Sequence, residues 1–207
     1  MTEGSTEADN ARHADKAKLR KAAHERKMEG KTGDKGLLIV HTGTGKGKTS
    51  AALGMVFRHI GHDMPVAVVN FTKSRRWDTG EARLLERFPD LVTLHIMGEG
   101  FTWETQDRER DIAAARAGWE RAKELILDDR HRMVLLDELN IVLRYDYLPI
   151  EEVVAFLREE KPADKHVVVT GRNAKPELIE IADLVTEMTL VKHPFRAGVK
   201  AQKGVEF

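Results

Sequence analysis

An α/β domain with a mainly parallel sheet of about six strands and helices on both faces is the architecture that three observations predict. Short apolar, β-branched runs recur along the chain, and helix-like segments alternate with them. The runs are continuous rather than alternating, as in strands buried on both faces. The third observation is a glycine-rich turn, His41-Thr-Gly-Thr-Gly-Lys-Gly-Lys-Thr-Ser50, set between such a run and a helix start.

The elements follow in order. Leu37-Leu-Ile-Val40 is the first strand, and a helix runs on from Ala51-Ala-Leu-Gly-Met-Val-Phe57 until Gly61-His-Asp63 ends it. Pro65 leads into a second strand, Val66–Phe71. Thr79 or Asp78 is placed to cap a short helix through Glu81 to Phe88. Leu91–Ile96 reads as the third strand and Met97–Thr105 as a loop. Asp107–Leu127 has helical spacing, with Ile112, Ala115, Trp119, Ala122 and Ile126 on one face. Met133–Glu138 holds the fourth strand. Ile150–Glu159 is a helix that turns Val153, Val154 and Leu157 inward. His166–Thr170 is the fifth strand, Pro176–Ala182 a helix with proline at its start, and Leu184–Met188 a sixth strand.

Residues 1–35 read as a flexible N-terminal arm with a basic helix, and 36–207 as one α/β domain. The first ten or so residues are small, polar and acidic, the composition of a disordered segment. From Ala11 to Lys27 alanine and basic residues give high helix propensity but only a thin apolar face, with Leu19 alone. Such a helix is either a solvated arm or one that folds over an anionic ligand. The basic tail from Val191 to Phe207 is expected to pack near the active site, on the strength of Phe195, Val199 and Phe207.

Composition excludes several classes. Lysine plus arginine number 34 and aspartate plus glutamate 34, so the whole molecule is no electrostatic nucleic-acid binder. With no cysteine, disulfides, thiolate metal sites and thiol redox catalysis are excluded. No apolar run has the length of a membrane span and the start lacks a signal peptide's apolar stretch, so the expected location is the cytoplasm.

The glycine-rich turn carries the chemistry. Strand, turn and helix start are the setting of a phosphate-binding P-loop. Gly43, Gly45 and Gly47 let the backbone turn tightly with its N–H groups inward, at the positive end of the next helix. Lys48 is placed to reach phosphate oxygens and the Thr49 hydroxyl to face magnesium. Thr44, Lys46 and Ser50 complete the nucleotide-binding set. Thr42 stands where the strict pattern has its first glycine. The fold expected is therefore P-loop NTPase-like.

Asp137 ends the strand Met133-Val-Leu-Leu-Asp137, expected beside the P-loop strand, and Glu138 follows. Carboxylates at strand ends in an open α/β sheet lie where ligands bind. Either can hold magnesium, and the spacing does not separate them. Arg172, in Thr170-Gly-Arg172 at another strand end, is a candidate for phosphate or ribose. Phe101 and Trp103 sit in the loop Met97-Gly-Glu-Gly-Phe-Thr-Trp103, either sealing the core or walling a large planar ligand.

These segments, with Asp137-Glu-Leu-Asn140, Tyr145-Asp-Tyr-Leu-Pro149, Val191-Lys-His193 and Ala197-Gly-Val-Lys-Ala-Gln202, resemble the ATP:corrinoid adenosyltransferases of the CobA/CobO (BtuR) type. The resemblance runs from about Lys16 to the C-terminus. Thr44 replaces the family's usual Asn, Ser50 its Thr, and Asn140 a common Thr. The resemblance implies transfer of the 5′-deoxyadenosyl group of ATP to the Co(I) of a corrinoid in cobalamin biosynthesis, with triphosphate released. It implies ATP and a corrinoid as substrates, Mg2+, a homodimer, and roles for Lys48, Thr49, Asp137 and Glu138 in catalysis. Phe101 and Trp103 would keep a lower axial ligand off cobalt, and an external reductase or flavoprotein would supply electrons. The alternative from the P-loop alone is an ATP hydrolase or kinase.

Overall fold

The computed structural model of the chain describes residues 3–31, 33–72, 79–97 and 107–206. It divides into two units, residues 1–34 and 35–207. In the first, helix α1 spans Glu3–Met28. It begins before Ala11 and takes in the basic segment Ala11–Lys27. Residues 9–28 are all exposed, as the thin apolar face requires.

The second unit is built on strands β1 Leu38–Thr42, β2 Val66–Asn70, β3 Val92–Ile96, β4 Met133–Asp137, β5 His166–Thr170 and β6 Leu184–Glu187. They form one sheet in the order β3-β2-β4-β5-β1-β6, with every pair parallel. The helices are α2 Lys48–Ile60, α3 Gly80–Leu85, α4 Arg108–Leu127, α5 Leu139–Arg144, α6 Ile150–Glu159 and α7 Pro176–Ile181. A 3-10 turn, Pro194–Ala197, follows.

Alternate strand residues feed two cores. Ile39, Val68, Leu135 and Val168 pack against Ala52, Leu53 and Val56 of α2 and Leu85 of α3. Val40, Val69, Leu136 and Val169 pack on the other face with Trp119, Leu143, Phe156 and Leu178 from α4 to α7. Trp119 meets Phe156 edge-on at 5.4 Å between ring centres. Helices thus cover both faces, as continuous apolar strands demand.

Two features differ from the sequence reading. The fourth strand is not beside the P-loop strand: β5 lies between β4 and β1. Strand periodicity fixes which runs are buried but not which are neighbours. The short helix α5 was not expected. It starts after Glu138, whose φ of 63° turns the chain sharply out of β4. Thr79 does cap α3, accepting from the Ala82 N–H, and Asp107 caps α4 through the Arg110 N–H. Asp78, the other proposed cap, lies outside the described residues.

Candidate active site

The site lies at the carboxyl ends of β1, β2, β4 and β5. Residues 43–47 leave β1 and turn into α2. Gly43 has φ 95°, and a side chain at Gly45 would stand 2.6 Å from the Thr189 carbonyl oxygen. Glycine is required there because the segment leaving β6 lies directly against the loop. The Met188 N–H donates to the Thr42 carbonyl at 2.9 Å, and the Gly45 N–H donates to the Met188 carbonyl at 2.6 Å. The Gly45 donor thus serves the β6 exit. Thr44 and Ser50 are exposed. Gly47 has φ 105° and leads into Lys48, the first residue of α2.

Lys48 is only 6% exposed. Its ammonium donates to the carbonyls of Gly43 at 2.9 Å and Gly45 at 2.6 Å, inside the curve of the loop. Burial pushes its pKa below the ordinary lysine value; nearby Glu138 opposes the shift, and the like charges of Arg172 and Lys46 add to it. Three cations and a carboxylate are thus gathered around one turn of backbone. Arg172 itself is exposed, just beyond β5. Lys46 projects outward and pairs with Glu206 of the C-terminal segment.

Asp137 is buried and held by three donors. Thr49 Oγ1 donates to Oδ1 at 2.8 Å, Thr170 Oγ1 to the same oxygen at 2.7 Å, and Asn70 Nδ2 to Oδ2 at 2.6 Å. The Thr170 hydroxyl also accepts from the Glu138 N–H at 2.9 Å. A buried carboxylate with charge-assisted hydrogen bonds to both oxygens has a fixed direction. Separation of β4 from β1 is bridged because Thr49, from the first turn of α2, reaches over to Asp137. Thr49, Asn70, Thr79, Leu94, Ile96 and Asp137 also line a small, mainly apolar cleft on the α3 side.

Of the sequence-predicted residues, Lys48 lies inside the loop 43–47 and Thr49 joins it to Asp137, while Glu138 and Arg172 are near enough for their charges to act on Lys48. Phe101 and Trp103 lie outside the described residues. The reading missed Asn70, although the signal was present: it is the one polar residue ending Val66-Ala-Val-Val-Asn70, and it pairs in register with Asp137. It also passed over the hydroxyl of Thr170 and the carboxylate of Glu206. Of the apolar tail residues, Phe195 is 74% exposed and Val199 39% exposed, and Phe207 lies outside the described residues; the tail meets the loop through the pair of Glu206 with Lys46.

The family model of ATP:corrinoid adenosyltransferase BtuR/CobO/CobP matches residues 34–207. A corrinoid adenosyltransferase from Sinorhizobium sp is 62% identical over 206 residues, spanning 99% of this chain and 96% of that protein. One from Pseudomonas aeruginosa is 53% identical, covering 95% and 96% of the two chains. One from Escherichia coli K12 is 49% identical, covering 84% and 87%. The match takes in the loop, Asp137 and the C-terminal segment that meets the loop, and the chain belongs to the ATP:corrinoid adenosyltransferase family.

Proposed function

We propose that this chain transfers the 5′-deoxyadenosyl group of ATP to the Co(I) of a corrinoid and releases triphosphate. Membership of the family carries the reaction. The observation that supports the residue roles is Lys48 held inside the loop 43–47, with the Thr49–Asp137 hydrogen bond beside it. In the transfer, cobalt supplies the electron pair that forms the Co–C5′ bond. The bond between C5′ and the α-phosphate oxygen breaks, its electrons leave with the triphosphate, and cobalt becomes formally Co(III). Cobalt is the nucleophile, so no side chain need act as general base.

What the protein contributes is placement of C5′ in line with cobalt and positive charge on the departing phosphates. Lys48 supplies that charge from a buried position, where it is screened little. Arg172 and Lys46 add charge near the same turn. The Thr49 hydroxyl and the Asp137 carboxylate, 2.8 Å apart, are hard oxygen donors of the kind magnesium takes alongside substrate phosphates. They fit Mg2+, with Glu138 next in the chain, and Asn70 and Thr170 hold the carboxylate in place. When bound, the ion would neutralise phosphate charge.

Phe101 and Trp103 are assigned to the lower face of the corrinoid, where an apolar wall keeps donors off cobalt. The basic arm, α1, is assigned to closing over the corrinoid, and the C-terminal tail to the edge of the ATP site. The chain works as a cytoplasmic homodimer, with an external reductase or flavoprotein providing electrons. Mixing the protein with cob(I)alamin, ATP and magnesium under strong reductant tests this. The light-sensitive spectrum of an alkyl-cobalt product should appear, and its absence with folded protein would reject the proposal.

A further inference from the structure

The P-loop is touched on its outer side by two parts of the chain's last stretch. One is the exit from β6, where the Met188 carbonyl accepts from the Gly45 N–H. The other is Glu206, whose carboxylate accepts from Lys46, the residue before Gly47 and Lys48. The two partners are unequally exposed: the Glu206 side chain is 18% accessible and the Lys46 side chain 59%. The pair joins residues 160 apart in sequence, so it closes a long stretch of chain on the loop. Val191, Phe195 and Val205 are 91%, 74% and 79% exposed, so burial of these side chains does not hold the segment there.

We propose that Glu206 is a positioning residue for ATP, acting through Lys46. Its carboxylate fixes the tip of the phosphate loop from outside, while the Met188 carbonyl fixes the loop's middle. The loop must hold its remaining backbone donors and Lys48 in one geometry to meet a triphosphate, and a free loop of glycines would lose entropy on binding. Tethering at two points removes part of that loss beforehand. The carboxylate touches no reacting atom, so its effect falls on affinity for ATP rather than on displacement at C5′. Attraction to Lys46 also holds the Glu206 carboxyl below its ordinary pKa, with a smaller contribution from His193.

This inference rests on the loop being the ATP site, as proposed above. It is tested by ATP binding without corrinoid, so a failure of adenosyl transfer would count against the reaction and a failure here against Glu206. Titration calorimetry with ATP and magnesium is run on the full chain, E206Q, K46M and the double variant. Each single change should weaken binding about fivefold, near the upper end of what a partly exposed pair supplies. The double variant should bind no worse than the weaker single variant, because both remove the same contact. The reversed pair, K46E with E206K, should recover part of the loss. In the transfer assay E206Q, which leaves the Lys46 charge in place, should raise KM for ATP with kcat within about twofold. Unchanged affinity in E206Q, losses that multiply in the double variant, or tighter binding in E206Q would each overturn the proposal. The last would mean that the carboxylate competes with phosphate for Lys46.

Discussion

Two lysines are buried at opposite ends of the same sheet, and their chemistry looks alike. Lys48, at the carboxyl end of β1, donates to the carbonyls of Gly43 and Gly45. Lys165, at the amino end of β5, donates to the carbonyls of Asp128 and His131 at 2.5 Å each. Burial lowers the pKa of both. The neighbours differ. Around Lys165 stand Asp164, Asp128 and Asp129, whose negative charges oppose the shift, with Arg132 adding to it. Around Lys48 stand Arg172 and Lys46, with Glu138 opposing. Lys165 ties two chain segments together within a field of carboxylates. Lys48 caps the carbonyls of a glycine-rich turn, with Arg172 and Lys46 of like charge nearby. A buried lysine with a lowered pKa is therefore no sign of function by itself; what separates the two is the loop motif that holds Lys48.

The largest expected effect breaks the comparison at its functional end. Lys48→Ala should cut turnover by orders of magnitude, as loss of transition-state charge stabilisation does, and, because it strands the Gly43 and Gly45 carbonyls, should lower the melting temperature by about the same few degrees as the Lys165 variant below. A folded variant with near-normal kcat would remove the loop from the phosphate site. Next comes the magnesium role proposed for Thr49. Thr49→Ala should raise the magnesium needed for half-maximal rate about tenfold, by loss of one oxygen donor. Magnesium titration of the variant measures this, and an unchanged requirement would return Thr49 to a purely structural hydrogen bond with Asp137. At the other end, Lys165→Met should leave kcat of folded enzyme unchanged but strand two carbonyls. The cost is about 2–3 kcal/mol, or roughly 4–12 °C in melting temperature for a chain of this size. Loss of kcat without loss of stability there would erase the distinction between the two lysines.

That distinction shows how far the sequence reads. The loop, Lys48 and Thr49 were visible because a motif places them at fixed spacing in the chain, and Asp137 and Glu138 because they end an apolar strand. Strands such as Val66–Asn70 and His166–Thr170 were visible because fully buried strands are written as unbroken apolar runs. Lateral order was not: nothing in Met133–Asp137 says that β5 will separate it from β1. Contacts set by that order were equally hidden. Asn70 meets Asp137 only because β2 and β4 pair in register, 67 residues apart. Glu206 meets Lys46 only because the chain returns after β6. Nor did the tail's composition single out Glu206, whose ion pair with Lys46 is its contact with the loop. The six-residue helix α5 was missed because a short helix entered through a left-handed Glu138 carries little periodicity.

The central claim is that this loop presents C5′ of ATP, rather than its γ-phosphorus, for attack. The hydrolase, kinase and adenosyltransferase readings share Lys48, Thr49 and Asp137; they differ in the atom offered. If C5′ is offered to cobalt, the three phosphates depart joined. If the γ-phosphorus is offered to water or an acceptor, ADP must form, and an in-line displacement cannot give both from one bound pose. Phosphorus NMR of completed reactions, with and without cob(I)alamin, reads the products directly. Inorganic triphosphate in step with the alkyl-cobalt product, and intact ATP when corrinoid is withheld, is the predicted result. ADP matching the adenosylated product, or phosphate release at a comparable rate without corrinoid, would contradict it.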